Sequence, residues 1–200
     1  MTLVAKVVLL AGPSGSGKTH LAESSGMPVL DLDHFYRDGD DPRLPRLAGL
    51  GIVDWDDPRS WDAVAALDTI ERLCEMGCAD VPVYEIGADR RVGHAQLELA
   101  GSPAFVATGI FAAEVVAAAR ERGLLADAVV LRRPAWKNYA RRLTRDLRER
   151  RKPALTLVRR GIGLMRVERD VVDRALAAGC RPCDRTGALA ALRSAAAGAR

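Results

Sequence analysis

Aromatic side chains make up only 4% of this 200-residue chain. Its most basic stretch, Arg132 to Arg174, holds fifteen Lys and Arg against five Asp and Glu, but only Trp136 and Tyr139 as stacking surfaces. Stacking platforms of the kind that bind nucleic acid are therefore scarce where the charge is, and no nucleic-acid partner is expected. Long apolar runs are also missing. Nothing approaches the roughly 18 to 20 residues that cross a bilayer, so no membrane partner is expected. The opening "MTLVAKVVLLAGP" is broken by Lys6 and leads into glycines rather than a cleavage site, so it reads as a buried strand. A cytoplasmic protein is the expectation. Cysteines number four, as Cys74/Cys78 and Cys180/Cys183. The second pair has the CxxC spacing of a zinc site, yet "ERLCEMGC" reads as the end of an amphipathic helix, and reduced structural thiols are the better expectation.

What is present is a charge asymmetry. The net charge of +4 divides into a basic segment near the C-terminus and an acidic remainder, with nine aspartates between residues 31 and 62. Such a division suits a phosphotransferase, with arginines for phosphates and aspartates for a metal and a hydroxyl.

Apolar runs and helical patterns alternate. Residues 3–10, "MPVLDLDHF", "ADVPVYEI" (with a proline, hence near an edge), "PAFVATGIF" and "ADAVVLRR" read as strands. Helices are expected after the glycines at 17, over "SWDAVAALDTIERLCEMG" with positions 64, 67, 70 and 73 on its apolar face, and from 112 to 122. Two basic helical stretches broken at Pro153, a short strand, a helix at 187–197 and a frayed "SAAAGAR" tail complete the pattern. Residues 36–60, rich in Pro, Gly and Asp, read as a long ordered loop. The alternation predicts one α/β domain over 1–200, with a parallel sheet between two layers of helices.

The loop "GPSGSGKT" fits G-x-x-x-x-G-K-[ST] between a strand and a helix. Gly12, Ser14, Gly15, Ser16 and Gly17 bend the backbone so that consecutive N–H groups cradle an anion. Lys18 reaches the β- and γ-phosphates, and the Thr19 hydroxyl is placed to hold Mg²⁺. The pattern points to a bound nucleoside triphosphate. Asp33 stands at the end of the second strand, where a doubly wound sheet opens its ligand crevice and a carboxylate can take a proton from a hydroxyl. Asp31 lies on the same side of that strand. Arg141, Arg145 and Arg148 share one helix face.

"GPSGSGKT", "LDHFYRD", "VDWDDPRSWD", "VPVY", "FVATGIF" and "RRLTRDLRER" occur in the order seen in the uridine kinase-like family of P-loop kinases, a resemblance covering roughly residues 5–152. It implies a P-loop NTPase three-layer sandwich with a five-stranded, mostly parallel sheet, helices on both faces and an Arg-rich helical lid at about 141–160. It also implies transfer of the γ-phosphate of ATP, with Mg²⁺, to a hydroxyl of a nucleoside or similar small acceptor. Asp33 matches the family's catalytic aspartate. Asp56 and Trp55 match positions that hold the ribose and line the nucleoside pocket, and Tyr84 matches a tyrosine near the base. Tyr36 and Arg91 complete the expected substrate contacts. Arg141 and Arg145, with Lys18, are the expected catalytic cations, and Thr19 and Asp31 the expected metal ligands. A homo-oligomer is compatible with this picture. Structural alternatives stand beside these readings: "WDDP" also fits a turn before the next helix, and Tyr84 also fits a buried strand residue.

Two positions depart from the family pattern. Where the family reads Glu-Gly-Ile, this chain reads Thr108-Gly109-Ile110, and a hydroxyl lacks the charge that helps hold Mg²⁺. Asp31 or Asp33 supplies it instead, or water and Thr19 hold the metal, or activity is reduced. Loss of transfer would leave a nucleotide-binding regulator of the same fold, the alternative function. In place of the phenylalanine and histidine that read a pyrimidine stand Ile86 and Asp89, which argues against uridine as the acceptor.

Overall fold

The computed structural model describes residues 2–47, 51–132 and 169–198. Its centre is a five-stranded parallel sheet. The strands are β1 (Lys6–Ala11), β2 (Val29–Asp31), β5 (Ala104–Thr108), β6 (Leu125–Leu131) and β7 (Arg181–Cys183), in the order β2-β5-β1-β6-β7. Val7 through Ala11 are fully buried, as are all five residues of β5 within 1%. The β-branched and leucine-rich runs need that burial, because a parallel strand has helices over both faces. Ile70, Leu73, Phe105 and Phe111 lie in the core layer on one side of the sheet, and Leu21, Met27 and Leu192 in that on the other.

The helices are α1 (Lys18–Glu23), α2 (Ala63–Met76), α3 (Val116–Glu121), α4 (over 169–177) and α5 (Arg185–Gly198). Asp62 caps α2, accepting a hydrogen bond from the Ala65 N–H at 3.1 Å, and Gly77 ends it at φ 73°. Its buried face is Ala66, Leu67, Ile70, Leu73 and Cys74. Val64 does not share it, being 70% exposed. Ala63, Ala65 and Ala66 of the same turn do pack on the core; steps of three residues drift round a 3.6-residue helix, and two of them carry Val64 off the face centred on Ile70. All four cysteines are free thiols; Cys74 and Cys180 are buried, and burial pushes them up to about 12 and about 11. The C-terminal helix continues through Gly198, so most of the tail expected to fray is helical.

The sheet differs from expectation at "ADVPVYEI". That strand, β3 (Cys78–Glu85), pairs antiparallel with β4 (Arg90–Glu98) in a separate hairpin rather than at an edge of the main sheet. Pattern reading missed β4 because seven of its nine residues are exposed and no apolar alternation marks it. The described parts of the loop over 36–60, residues 36–47 and 51–60, are ordered as expected. It leaves and returns through a narrow neck. Tyr36 and Trp61 form a bridge, the Arg37 N–H donates to Ser60 O, and the Asp62 N–H donates to Phe35 O, both at 2.9 Å. No described helix is long and apolar enough to cross a membrane.

Candidate active site

The glycine loop follows β1 directly. A Cβ on Gly12 would stand 3.1 Å from the Leu131 carbonyl oxygen, and φ there is 147°. The loop thus turns back at a place only glycine fits. Gly17 takes the left-handed conformation at φ 90° and opens α1. Lys18 is buried, and its Nζ donates to the Pro13 carbonyl at 3.0 Å, folding over the loop it belongs to. Ser16 is fully buried, and its Oγ has no hydrogen-bond partner among the described residues. A buried hydroxyl left in that state is costly, and a phosphate oxygen in the loop would satisfy it. Thr19 faces solvent.

Beside the loop lie the C-terminal ends of β1, β5 and β2. Leu10 pairs with Thr108, and Thr108 pairs with Asp31. Thr108 is 1% exposed and donates from Oγ1 to Leu10 O at 3.4 Å. The neutral residue at the expected acidic position therefore has an aspartate next to it on the adjoining strand. Asp31 Oδ1 accepts the Asp33 N–H at 2.9 Å, starting the 3-10 turn Leu32–Phe35. That turn is pinned from below, where Trp61 Nε1 donates to Leu32 O at 2.7 Å. Asp33 Oδ1 accepts the Ile110 N–H at 3.4 Å. Burial, and then the like charge of Asp31, raise the Asp33 carboxyl above its ordinary value, while Lys18 opposes the rise. Asp33 and Lys18 thus share one electrostatic neighbourhood. Gly109 makes this possible: a Cβ there would meet Leu32 Cβ at 2.8 Å and Asp33 Oδ1 at 3.0 Å.

Beyond Asp33 the 3-10 turn meets the hairpin. His34 Nδ1 lies 3.0 Å from Pro82 O and 3.2 Å from the Tyr84 nitrogen. These neighbours make opposite demands on one ring nitrogen, so each tautomer satisfies one of them. Tyr36, Trp55 and Tyr84 come together with ring centroids 5.6, 5.8 and 6.5 Å apart, and Phe111 closes against Tyr36 at 5.9 Å. Tyr36 Oη donates to Trp55 O at 3.3 Å, and Tyr84 Oη to Arg37 O at 3.3 Å. Arg91 joins the group, its Nε donating to Tyr36 O at 3.4 Å and its backbone N–H to Asp38 Oδ1 at 2.7 Å. Asp62 Oδ2 lies 3.6 Å from Arg37 and 3.8 Å from Arg91, beyond hydrogen-bond length, so both guanidiniums keep donors available toward it. A cleft of about 560 Å³ opens there, lined by Arg37, Asp38, Asp41, Asp62 and Arg91 among others.

The structure brings Tyr36, Trp55, Tyr84 and Arg91 together, and it groups Asp31, Asp33 and Lys18. Asp56 follows Trp55 in a turn whose N–H is held by Asp54 Oδ1 at 3.2 Å. The side chain that starts the next 3-10 turn belongs to Asp57 instead. Ile86 is 59% exposed and Asp89 sits in the hairpin turn at φ 50°, its carbonyl accepting Gly39 N–H at 2.6 Å. Neither belongs to the aromatic group. Arg37, Asp38 and Asp62 were missed in the sequence. Asp62 had a signal, a capping aspartate ahead of an amphipathic helix, but only the fold shows that its second oxygen faces two arginines. Arg141, Arg145 and the lid at about 141–160 lie outside the described residues.

No family model matches the chain. It is 34% identical over 113 residues to the inorganic pyrophosphatase TTM1 of Arabidopsis thaliana, and 33% identical to TTM2 of the same plant. Each alignment takes in 53% of this chain, but 16% and 15% of those much longer proteins. Among solved structures, it superposes on a protein of Silicibacter sp. TM1040 provisionally assigned as a fructose transport system kinase. There the TM-score is 0.60 at 18% identity, over 90% of this chain and 88% of that one. A Bacillus stearothermophilus protein provisionally assigned as a uridine kinase matches at a TM-score of 0.47 and 17% identity, over 68% and 74%. The fold is the P-loop NTPase α/β fold.

Proposed function

We propose that the chain is an ATP- and Mg²⁺-dependent small-molecule kinase that transfers the γ-phosphate to a hydroxyl of a nucleoside-like or similarly small acceptor, as one domain over 1–200. The observation that carries this reading is Asp33: a carboxylate at the crevice end of the sheet, within the field of Lys18, on a 3-10 turn that leads directly into the Tyr36, Trp55 and Tyr84 group and Arg91. In this reading Gly12, Ser14, Gly15, Ser16 and Gly17 cradle the phosphates, and Lys18 leaves Pro13 to meet them. Asp33 orients the acceptor hydroxyl and takes its proton. Tyr36, Trp55, Asp56, Tyr84 and Arg91 hold the acceptor. Arg141 and Arg145 of the lid pair with phosphate oxygens. Most of the rate then comes from positioning and fixed charge.

The donors present suit Mg²⁺. Thr19 offers an exposed hydroxyl, Asp31 a carboxylate, and the buried Ser16 hydroxyl awaits an oxygen in the same loop. Among the described residues no three acidic, His or Cys side chains could hold an ion by themselves. This agrees with a metal bound through few side chains plus nucleotide phosphates and water. When bound, Mg²⁺ would neutralise charge on those phosphates. Asp31, beside Thr108, is the residue to supply the missing acidic ligand.

The test is incubation with Mg-ATP and a panel of nucleosides, sugars and small alcohols, following ADP and phosphorylated product, with Asp33→Asn run in parallel. Acceptor-dependent product that the variant fails to make supports the kinase. A second reading, a nucleotide-binding regulator, is favoured by Thr108; tight ATP binding with no product from any acceptor would support it. Inorganic pyrophosphate belongs in the panel because of the Arabidopsis relatives, and phosphate released from it without an acceptor would replace both readings.

A further inference from the structure

The β3–β4 hairpin has two outer edges, and only one is covered. Along β3 the outward groups are identified by their partners: Pro82 O and the Tyr84 N–H both meet His34. The register pairs Tyr84 with Arg91, Pro82 with His94, Asp80 with Gln96 and Cys78 with Glu98. In an antiparallel pair, residues opposite each other point their backbone groups the same way, inward or outward. On β4 the outward residues are therefore Arg91, His94, Gln96 and Glu98. Asp38 takes the Arg91 N–H at 2.7 Å. Among the described residues no other element pairs with the outer edge of β4, and no side chain is bonded to its remaining outward groups. Past the irregularity in the register opposite Tyr84, His94, Gln96 and Glu98 leave three N–H groups and three carbonyls on an exposed edge, a ready template for another strand.

The side chains show which strand fits. His94, Gln96 and Glu98 stand on one face, all exposed, and none has an ion pair or side-chain hydrogen bond among the described residues. Run antiparallel to itself about Gln96, this segment is self-complementary. His94 of one copy falls opposite Glu98 of the other, twice, and the two Gln96 amides meet on the axis. Directly opposed side chains of this kind are about 5 Å apart at Cβ. Register supplies an independent check. In this pairing the overlap runs from His94 to Glu98, so Val92, skipped by the irregularity in the hairpin register, and Arg91, whose N–H Asp38 takes, both lie outside it. The fold covers the edge where self-pairing does not need it and leaves it bare where it does.

We propose that β4 is a self-association edge, through which two copies of this chain join their hairpins into one four-stranded antiparallel sheet about a two-fold axis at Gln96. Each hairpin also carries Tyr84 and Arg91, but the proposal does not depend on the kinase reading. Sedimentation of the full chain over a concentration series tests it. The expected result is a reversible monomer–dimer equilibrium in the micromolar range, with amide exchange at His94, Gln96 and Glu98 slowing as concentration rises. Glu98→Lys should weaken association about tenfold, since it spoils two cross-strand pairs at once. Combining it with His94→Glu should restore association. Both residues are solvent-exposed, and an unchanged melting temperature would show that each variant folds. A monomer up to high-micromolar concentration overturns the proposal, as does a dimer indifferent to Glu98→Lys or not rescued by the exchanged pair.

Discussion

The two sides of the candidate site are made of different materials. The phosphate side is backbone: a glycine turn, two packed strands and a buried lysine folded over its own loop. The acceptor side is side chains on a 3-10 turn, a long loop and a hairpin that makes no strand pairing with the main sheet. In the proposed reading, backbone donors recognise what every nucleotide shares, whereas side chains carry whatever distinguishes one acceptor from another. Asp33 joins the two, held by Asp31 on one side and by Ile110 on the other.

Breaking the phosphate side should cost the most. Lys18→Met is expected to lower turnover on the order of a hundred- to a thousandfold, the scale for losing one preorganised donor, while the melting temperature changes little; an ADP-release assay with whichever acceptor the panel yields checks it. Next comes the hinge between the sides. Gly109→Ala forces a methyl to 2.8 Å from Leu32 and 3.0 Å from Asp33 Oδ1. It should destabilise the fold by about 1–3 kcal/mol in urea denaturation and reduce activity along with stability.

Asp33→Asn should separate the two properties. The folded state raises the Asp33 pKa above the ordinary 3.8, so the fold favours its protonated form. That stabilising contribution is present below the ordinary value and is lost as pH rises through the raised one. The asparagine cannot ionise, so the variant should melt higher than the parent at neutral pH, and the gain should vanish toward pH 3. Thermal melts across that range check the sign; a variant less stable at pH 7 would mean the charge is better compensated than its surroundings suggest. The smallest effect is expected far from both sides, at Val64→Ser, within about 0.5 kcal/mol because the residue stands in water.

Much of the phosphate side was legible in sequence, because a strand, a glycine pattern and a helix are local and a buried parallel strand announces itself as an unbroken apolar run. Asp33 was legible for a related reason: strand ends locate the crevice. The acceptor side was legible in its residues but not in its frame. Tyr36, Trp55, Tyr84 and Arg91 were identified, yet β4 was not, since a strand facing solvent leaves no alternating pattern. Val64 failed for a different reason: a strict spacing of three drifts off the buried face of a 3.6-residue helix. Arg37, Asp38 and Asp62 depend on contacts between segments 25 to 53 residues apart in sequence, and no local signal encodes those.

The neck at Tyr36 and Trp61 has a consequence for how such a chain changes over generations. Between Arg37 and Ser60 the described chain departs and returns through one bridge and two backbone hydrogen bonds, and is tied further only to the hairpin among the strands, at Asp38 with the Arg91 N–H and at Gly39 with Asp89 O. Doubling its length would cost about 0.6 kcal/mol in closure entropy. Insertions, deletions or a wholesale exchange there leave the sheet, the glycine turn and Asp33 untouched. If the proposed function holds, substrate preference can therefore drift at this address while the chemistry next door is inherited intact.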